Sequence, residues 1–507
     1  MKLAAIILAA GKGTRMRSAR AKVLHELGGK PMLARIIRAA AALGPRPLVV
    51  VVGHQAREVE AAAREARGGR GRRGAAEGDQ VDKLAVSRVD ELSRDEVDDL
   101  AFALQEPQRG TGDAARCALD ALARGFDGAV LIAYGDMPMV TAATLTAFAA
   151  AHRQSGAALS FISVRLDDPA AYGRVVRDES GAVRAIVEAR DASPAERAIS
   201  EINTGFYLAD AAFLRSAIAE LKPANAQGEY YLTDLAAIAR GRGLQVEAWI
   251  APDAAEFSGI NSREELATME AQIRQTVNRN LMESGVTLVD PATAYISEQA
   301  EIAADCVIGP NVQILGRCRL GAGVKIDGTA WLSNVEVGPR CHLKLGVRAE
   351  DCRIGEDSEI GPFANLRAGT DLEGHNRIGN FVETKKARIG RGTKASHLSY
   401  LGDTVIGRDT NIGCGVITVN YDGYEKHQTT IGDRCMIGCD TQLVAPIKVG
   451  SDVYVASGTT IVREVQDGAL VMSHHPQREK SGWMAKWRER HGDAPDGNRK
   501  RAAARKE

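Results

Sequence analysis

Residues 301–316 read Glu301-Ile302-Ala303-Ala304-Asp305-Cys306-Val307-Ile308-Gly309-Pro310-Asn311-Val312-Gln313-Ile314-Leu315-Gly316. An aliphatic residue recurs at every sixth position, and Ile302, Ile308, Ile314, Leu320 and Ile326 continue the series unbroken. Ile431, Ile437, Leu443, Val449, Val455 and Ile461 repeat it further on. An α-helix, with about 3.6 residues per turn, cannot keep such a stripe on one face. A triangular coil can, with one hexapeptide per side, the aliphatic residue inward and small residues at the corners. Glycine follows the aliphatic position at Ile308-Gly309, Ile354-Gly355, Ile378-Gly379, Ile412-Gly413 and Ile437-Gly438, among others. The spacing predicts an all-β parallel β-helix of hexapeptide repeats over residues 285–480.

Upstream the period changes. Leu3–Leu8, Leu48–Val52, Ala129–Ala133 and Ala158–Val164 read as buried strands, and Pro31–Leu43, Asp113–Ala123 and Ala142–Arg153 as helices. Strands alternating with helices imply parallel pairing in an open α/β sheet. Ligands of such sheets bind at the carboxyl ends of the strands. This domain is expected to span 1–262. Leu266, Met269, Ile273 and Val277 have the three-to-four spacing of an amphipathic helix, so 263–284 reads as a linker helix.

The basic, glycine-rich run Arg67–Gly74 and the acidic stretch Asp90–Asp99 read as a solvated insertion over 64–99. An RNA-binding arm is disfavoured, because it lacks aromatic residues for base stacking. The end of the chain, 481–507, reads as a basic disordered tail. Lys+Arg and Asp+Glu both total 65, which calls for neither nucleic acid nor membrane. No apolar run approaches the roughly 18 residues that span a bilayer. The eight cysteines form no C-x-x-C pair, and free thiols in a reducing compartment, the cytoplasm, are the expectation.

Leu8-Ala9-Ala10-Gly11-Lys12-Gly13-Thr14-Arg15-Met16 follows the first strand, and Lys22 places a second cation after it. Gly11 and Gly13 let backbone N–H groups approach phosphate oxygens, and Arg15 can stabilise polyphosphate charge. The spacing is neither that of a Walker A loop nor that of a dinucleotide fold. Further along stand Gln105, Gly110-Thr111, Tyr134-Gly135-Asp136, Tyr172-Gly173-Arg174, Glu188, Asn203-Thr204-Gly205 and Gly259-Ile260-Asn261. In the β-helix the variable stretch holds Arg367, Glu383, Lys385, His397, Tyr400, Asn411 and Asn420-Tyr421. A lone histidine there is usually a corner residue, and it is the surrounding cations, tyrosine and amides that single out His397.

The L-A-A-G-K-G-T-R-M loop with its downstream lysine resembles the signature of sugar-1-phosphate nucleotidyltransferases. The ordered motifs after it resemble the bacterial bifunctional family of N-acetylglucosamine-1-phosphate uridylyltransferase and glucosamine-1-phosphate N-acetyltransferase, over nearly the whole chain. The resemblance implies a Rossmann-like uridylyltransferase domain followed by a left-handed parallel β-helix. It implies UTP and acetyl-CoA as co-substrates, Mg²⁺ as cofactor, a homotrimer, and a nucleotide-sugar product for the cell wall. Leu8, Ala9, Ala10, Gly11, Lys22, Gln105, Gly110, Thr111, Tyr134 and Gly135 would bind UTP. Asp136 with Asn261 would hold Mg²⁺, Arg15 and Lys22 would neutralise charge, and Gly173, Glu188 and Asn203 would bind the sugar. His397 would be the acetyl-transfer base, with Glu383 orienting or tuning it. Arg367, Lys385, Tyr400, Asn411 and Asn420 would hold the glucosamine phosphate, and Cys414, Tyr421, Cys439, Ser457 and His474 the acetyl-CoA. The chain departs from the family pattern at His474, usually arginine, and at Cys439, usually a small hydroxyl residue. The alternatives are a monofunctional nucleotidyltransferase with a regulatory or oligomerising β-helix, and a non-enzymatic scaffold.

Overall fold

A computed structural model describes residues 2–68, 100–473 and 477–491. Most of the 64–99 insertion, His474 and the end of the tail from 492 lie outside the described residues. The chain divides into two units, 1–276 and 277–507.

In the first unit, buried strands build a sheet in the order Val246–Ile250, Leu159–Arg165, Glu201–Asp210, Ala129–Tyr134, Leu3–Leu8, Leu48–Val52 and Leu100–Leu104. Leu3–Leu8 runs parallel to both of its neighbours, Ala129–Tyr134 and Leu48–Val52. Antiparallel pairing departs from the expected parallel pattern: Glu201–Asp210 runs antiparallel to the strands on either side, and Arg174–Arg177 pairs antiparallel with it and with Val183–Val187. Nine of the ten residues of Glu201–Asp210 are buried, a pattern that a central strand shows in either direction. Helices Met32–Ala41, Thr111–Ala121 and Ala142–Ser155 cover the sheet where helical periodicity placed them. The register sets Leu8 opposite Tyr134, so the Gly11–Arg15 loop and Asp136 emerge side by side at the carboxyl edge. Gly135 N–H donates to the Leu8 carbonyl at 2.9 Å, which ties the two loops together.

The linker helix is present as Arg263–Glu283, and the boundary between the units falls inside it. Met269 and Ile273 of this helix are buried, while Val277 and Leu281 pack on the core of the second unit.

In the second unit most short strands pair in parallel with the strand three further on, so three strands make one coil. Val307 pairs with Lys325 and Ile308 with Ile326, and the inward column of aliphatic residues forms one continuous core. All eight cysteines are free, five of them buried. Between residues 358 and 459 the interior also takes Ser358, Thr370, Asn376, Thr384, Thr393, Thr410 and Thr459, all nearly inaccessible. These polar side chains bond across coils: Thr393 Oγ1 donates to the Gly407 carbonyl at 2.6 Å, and Thr410 Oγ1 to that of Gly432 at 2.9 Å.

The stretch read as a disordered tail is helical at its start, over Trp483–His491. Trp483, Met484 and Trp487, one turn apart, supply an apolar patch that the run of charges concealed.

Asn376 is the most fully engaged interior amide. Its Nδ2 donates to the carbonyls of Gly390 at 2.8 Å and Thr393 at 3.3 Å, and its Oδ1 accepts from Gly374 N–H at 2.9 Å. Removing it strands buried backbone groups. Asn376→Ala is therefore expected to destabilise the β-helix by about 2–4 kcal/mol, read from denaturant unfolding.

Candidate functional site

The first cleft, of about 500 Å³, lies at the carboxyl edge of the first unit's sheet. Leu8, Ala9, Ala10, Gly11, Arg15, Lys22, Gln105, Gly110, Thr111, Tyr134, Asp136 and Asn261, all singled out from sequence, line it together. Gly13 has φ 61°, and a Cβ there would lie 2.5 Å from the Lys22 Cβ, so the loop folds tightly over the lysine. Lys22 is buried, and its ammonium donates to an Asp136 carboxylate oxygen and to Asn261 Oδ1 at 2.6 Å. Arg15 donates to the same Asn261 oxygen at 2.8 Å. Ile260 N–H donates to the Asp136 carbonyl at 3.1 Å, which brings Asn261 beside Asp136 although 125 residues separate them.

Two hard oxygens thus converge on one cation. That geometry and donor type suit Mg²⁺, which takes a few protein oxygens and completes its shell from phosphates and water. Among the described residues no group of three or more His, Cys, Asp and Glu could hold a metal, so a dedicated all-protein cage is not what this cleft offers.

Gln105 is buried, with its Nε2 donating to the Gly110 carbonyl at 2.9 Å and to Asp113 at 3.0 Å. Its amide oxygen is therefore left to accept from a ligand N–H. Deeper in this unit, burial lifts the Glu188 carboxyl above its ordinary range, with Asp191 and Asp234 adding to the effect and the nearby Thr233 hydroxyl opposing it. Burial likewise raises the Tyr134 phenol, with the Glu188 charge adding, so Tyr134 remains a protonated donor. Gly173 lies beside Glu188: a Cβ there would be 3.6 Å from its carboxylate. Asn203 is already engaged, donating to the Tyr207 hydroxyl at 2.7 Å and accepting from Gly205 N–H at 3.2 Å.

In the second unit the stacking of coils decides which residues meet. Asn365, Glu383, Tyr400 and Ile417 follow one another up one side. Arg367 donates to Glu383 at 2.8 Å. Asn420 donates to Asp403 at 2.5 Å and to the Tyr400 hydroxyl at 3.5 Å. His397 stands at the adjoining corner, exposed. Backbone bonds continue that corner upward, from Gly415 N–H to the Leu398 carbonyl, Asp440 N–H to Cys414, and Gly458 N–H to Cys439. His397, Cys414, Cys439 and Ser457 therefore form one exposed column, spaced about 4.8 Å per coil.

Two of the expected groupings are not joined by hydrogen bonds within the chain. Glu383 makes none to His397: its carboxylate accepts from Arg367 and Asn365, and its ladder neighbour is Tyr400. The residue level with His397 is Asn380. Asn411 stands on another side of the prism from Glu383 and Tyr400, pairing with Lys394 and Met436. His474 lies outside the described residues.

Sequence reading also missed Gln108, which lines the first cleft and donates to the Ala10 carbonyl at 2.6 Å, and Lys426. A bridge between Tyr421 and Lys426 folds the 421–426 hairpin back. Lys426 then stands against Lys385, and its hydrogen-bonding approach and charge push the Lys385 ammonium below its ordinary range. Lysines this close, with Arg367 near them, make a strong anion site. Gln108 could have been suspected from its place three residues after Gln105; nothing local marks Lys426.

A nucleotidyltransferase fold with a cation-rich cleft, and a β-helix with a histidine corner, define a two-domain transferase that joins nucleotide and acyl chemistry. Residues 5–204 match the MobA-like NTP transferase domain, 291–368 the GMPPB C-terminal domain and 428–463 the bacterial transferase hexapeptide repeat. The bifunctional protein GlmU of Pelobacter propionicus is 46% identical over 96% of this chain and 99% of its own length. That of Trichlorobacter lovleyi is 46% identical with the same coverage, and that of Corynebacterium glutamicum 42% identical over 96% of this chain and 94% of its own. The chain belongs to the GlmU family, whose members acetylate glucosamine-1-phosphate and transfer a uridylyl group to N-acetylglucosamine-1-phosphate. The β-helix is accordingly of the left-handed hexapeptide kind.

The loop before Gly173 rests on Arg174, which is buried and donates to the carbonyls of Ala170 at 3.0 Å, Pro169 at 3.3 Å, Arg197 at 3.3 Å and Tyr172. Tyr172 in turn accepts from Gly259 N–H at 3.3 Å. Arg174→Ala should free residues 169–173, lower stability by about 2–4 kcal/mol and raise amide exchange across that loop, measured by mass spectrometry.

Proposed function

We propose that the first cleft holds UTP and N-acetylglucosamine-1-phosphate, and that the β-helix corner holds acetyl-CoA and glucosamine-1-phosphate. The convergence of Lys22, Asp136, Asn261 and Arg15 carries the first assignment. The triphosphate lies along the loop from Leu8 to Arg15, and Gln105 with the Gly110-Thr111 backbone receives the uracil. Gly173, Glu188 and Asn203 hold the sugar. An oxygen of the sugar phosphate attacks the α-phosphorus of UTP, a new P–O bond forms, and pyrophosphate leaves. The nucleophile is already ionised at neutral pH, so no general base is needed. Arg15 and Lys22 place positive charge on the phosphates, so catalysis is positioning plus charge neutralisation. Asp136 and Asn261 would hold Mg²⁺, which when bound supplies further neutralisation of phosphate charge.

In the second cleft Arg367, Lys385 and Lys426 attract the sugar phosphate, with Tyr400 and Asn420 alongside. His397 takes a proton from the glucosamine ammonium, because only the free amine is nucleophilic. The amine attacks the thioester carbonyl, an N–C bond forms, the C–S bond breaks, and the CoA thiolate leaves, taking up the proton that the nitrogen sheds. The column Cys414, Cys439, Ser457 supports acetyl-CoA lying along the corner, with Tyr421 beside it and its thioester at the His397 end. Asn411, on another side of the prism, joins such a site only from a neighbouring copy, which supports a trimer in which each cleft is shared. Eight free thiols support a cytoplasmic setting. Among the described residues no helix is long and apolar enough to cross a membrane.

Asp136→Asn is expected to lower uridylyl transfer by at least about 100-fold while acetyl transfer is retained, followed as pyrophosphate release and CoA release. UTP turnover at the normal rate in this variant contradicts the cleft's role. His397→Ala should abolish acetylation with pyrophosphate release preserved, and near-normal acetylation would discard the base assignment.

A further inference from the structure

The ladder places Asn380 level with His397 on the adjacent coil, about 4.8 Å away along the prism. In parallel pairing, laterally matched residues point to the same side, so the amide and the imidazole are neighbours. The backbone repeats as well: Phe381 and Leu398, the next residues, both have positive φ, at 58° and 27°. The Asn380 Oδ1 is buried and has no hydrogen-bond partner, in contrast to the fully engaged Asn376 four residues before it. A buried amide oxygen without a donor costs about 1–3 kcal/mol, and such a group calls for a donor that arrives in the working state.

We propose that Asn380 is a positioning residue for acetyl transfer: its side-chain oxygen accepts a hydrogen bond from one ring N–H of His397, leaving the other ring nitrogen free to take the proton of the glucosamine ammonium. This rests on the reading of His397 as the base. Of the ionisable groups around the corner, Glu383 is held by Arg367, while Lys385, Lys394, Tyr400, Asp403 and Cys414 make no hydrogen bond to the ring among the described residues. Asn380 is thus the acceptor placed to choose the tautomer. A base needs its second nitrogen protonated and held, and catalytic hydrogen bonds commonly tighten only once substrate is present. A neutral amide fixes the tautomer without the full electrostatic pull of a carboxylate on the imidazolium.

The test uses the full-length protein with glucosamine-1-phosphate and acetyl-CoA, between about pH 6 and 9, with pyrophosphate release as the folding control. Asn380→Ala is expected to cut the acetyl-transfer kcat by roughly 10–100-fold, leaving KM for glucosamine-1-phosphate within about twofold. The nearly isosteric Asn380→Asp keeps the acceptor but adds charge that stabilises the imidazolium, so the acidic limb of kcat/KM should move up by roughly one pH unit. An unchanged kcat in Asn380→Ala, or an unmoved acidic limb in Asn380→Asp, overturns the proposal. Should the alanine variant fail to fold, the aspartate variant decides alone. His397→Ala separates the two readings: if it keeps acetylation the base assignment fails, whereas if it loses acetylation and both Asn380 variants behave as wild type, only the positioning role fails.

Discussion

Coils of the β-helix approach one another so closely at their corners that a single carbon atom cannot be added. A Cβ on Gly379 would lie 2.0 Å from the Ser396 carbonyl oxygen, and one on Gly309 2.2 Å from that of Asp327. Both distances are far inside van der Waals contact, so coil spacing and register are fixed together. That steric limit keeps the aliphatic columns in line, and it also stacks residues from distant parts of the sequence. His397, Cys414, Cys439 and Ser457 form a column because their coils have no freedom to slip.

The same limit explains what could be read from sequence. The hexapeptide stripe and its trailing glycines write the stacking directly into the residue order, and so does the strand-loop-cation pattern at Leu8–Arg15 and Lys22. The direction of Glu201–Asp210 was not legible, because a strand buried on both faces carries no mark of its neighbours' orientation. The partner of Glu383 was hidden for another reason. Proximity between coils depends on coil lengths of seventeen or eighteen residues, and a shift of one position separates a lateral neighbour from a bystander: Glu383 meets Tyr400 and Asn380 meets His397. Lys426 reaches Lys385 only through a hairpin whose fold-back has no periodic signature.

The first unit follows a different logic. Its cleft is assembled from loops at one sheet edge, and backbone hydrogen bonds between those loops do the positioning. Gly135 to Leu8, Ile260 to Asp136 and Gly259 to the Tyr172 hydroxyl link four segments drawn from most of the domain. The charged groups at the centre answer one another before any anion arrives, which moderates the cost of gathering two cations in a partly buried place. Farther in, burial and the nearby Asp191 raise both the Glu188 and the Asp234 carboxyls above their ordinary range, with Asp234 adding to the effect on Glu188.

One coil is longer than the rest: Ile412 pairs with Ile437, twenty-five residues on, because the segment carrying Asn420, Tyr421 and Lys426 loops outward before the ladder resumes. The strands on either side keep their register as though nothing intervened. Lengthening a surface excursion costs little, about 0.6 kcal/mol per doubling. On the proposed reading, part of the acceptor site, Asn420 and Lys426, is carried on this detour, while Lys385 and Tyr400 stand on the solenoid strands themselves, so the excursion can change in length or wording while the coils beneath keep their stacking.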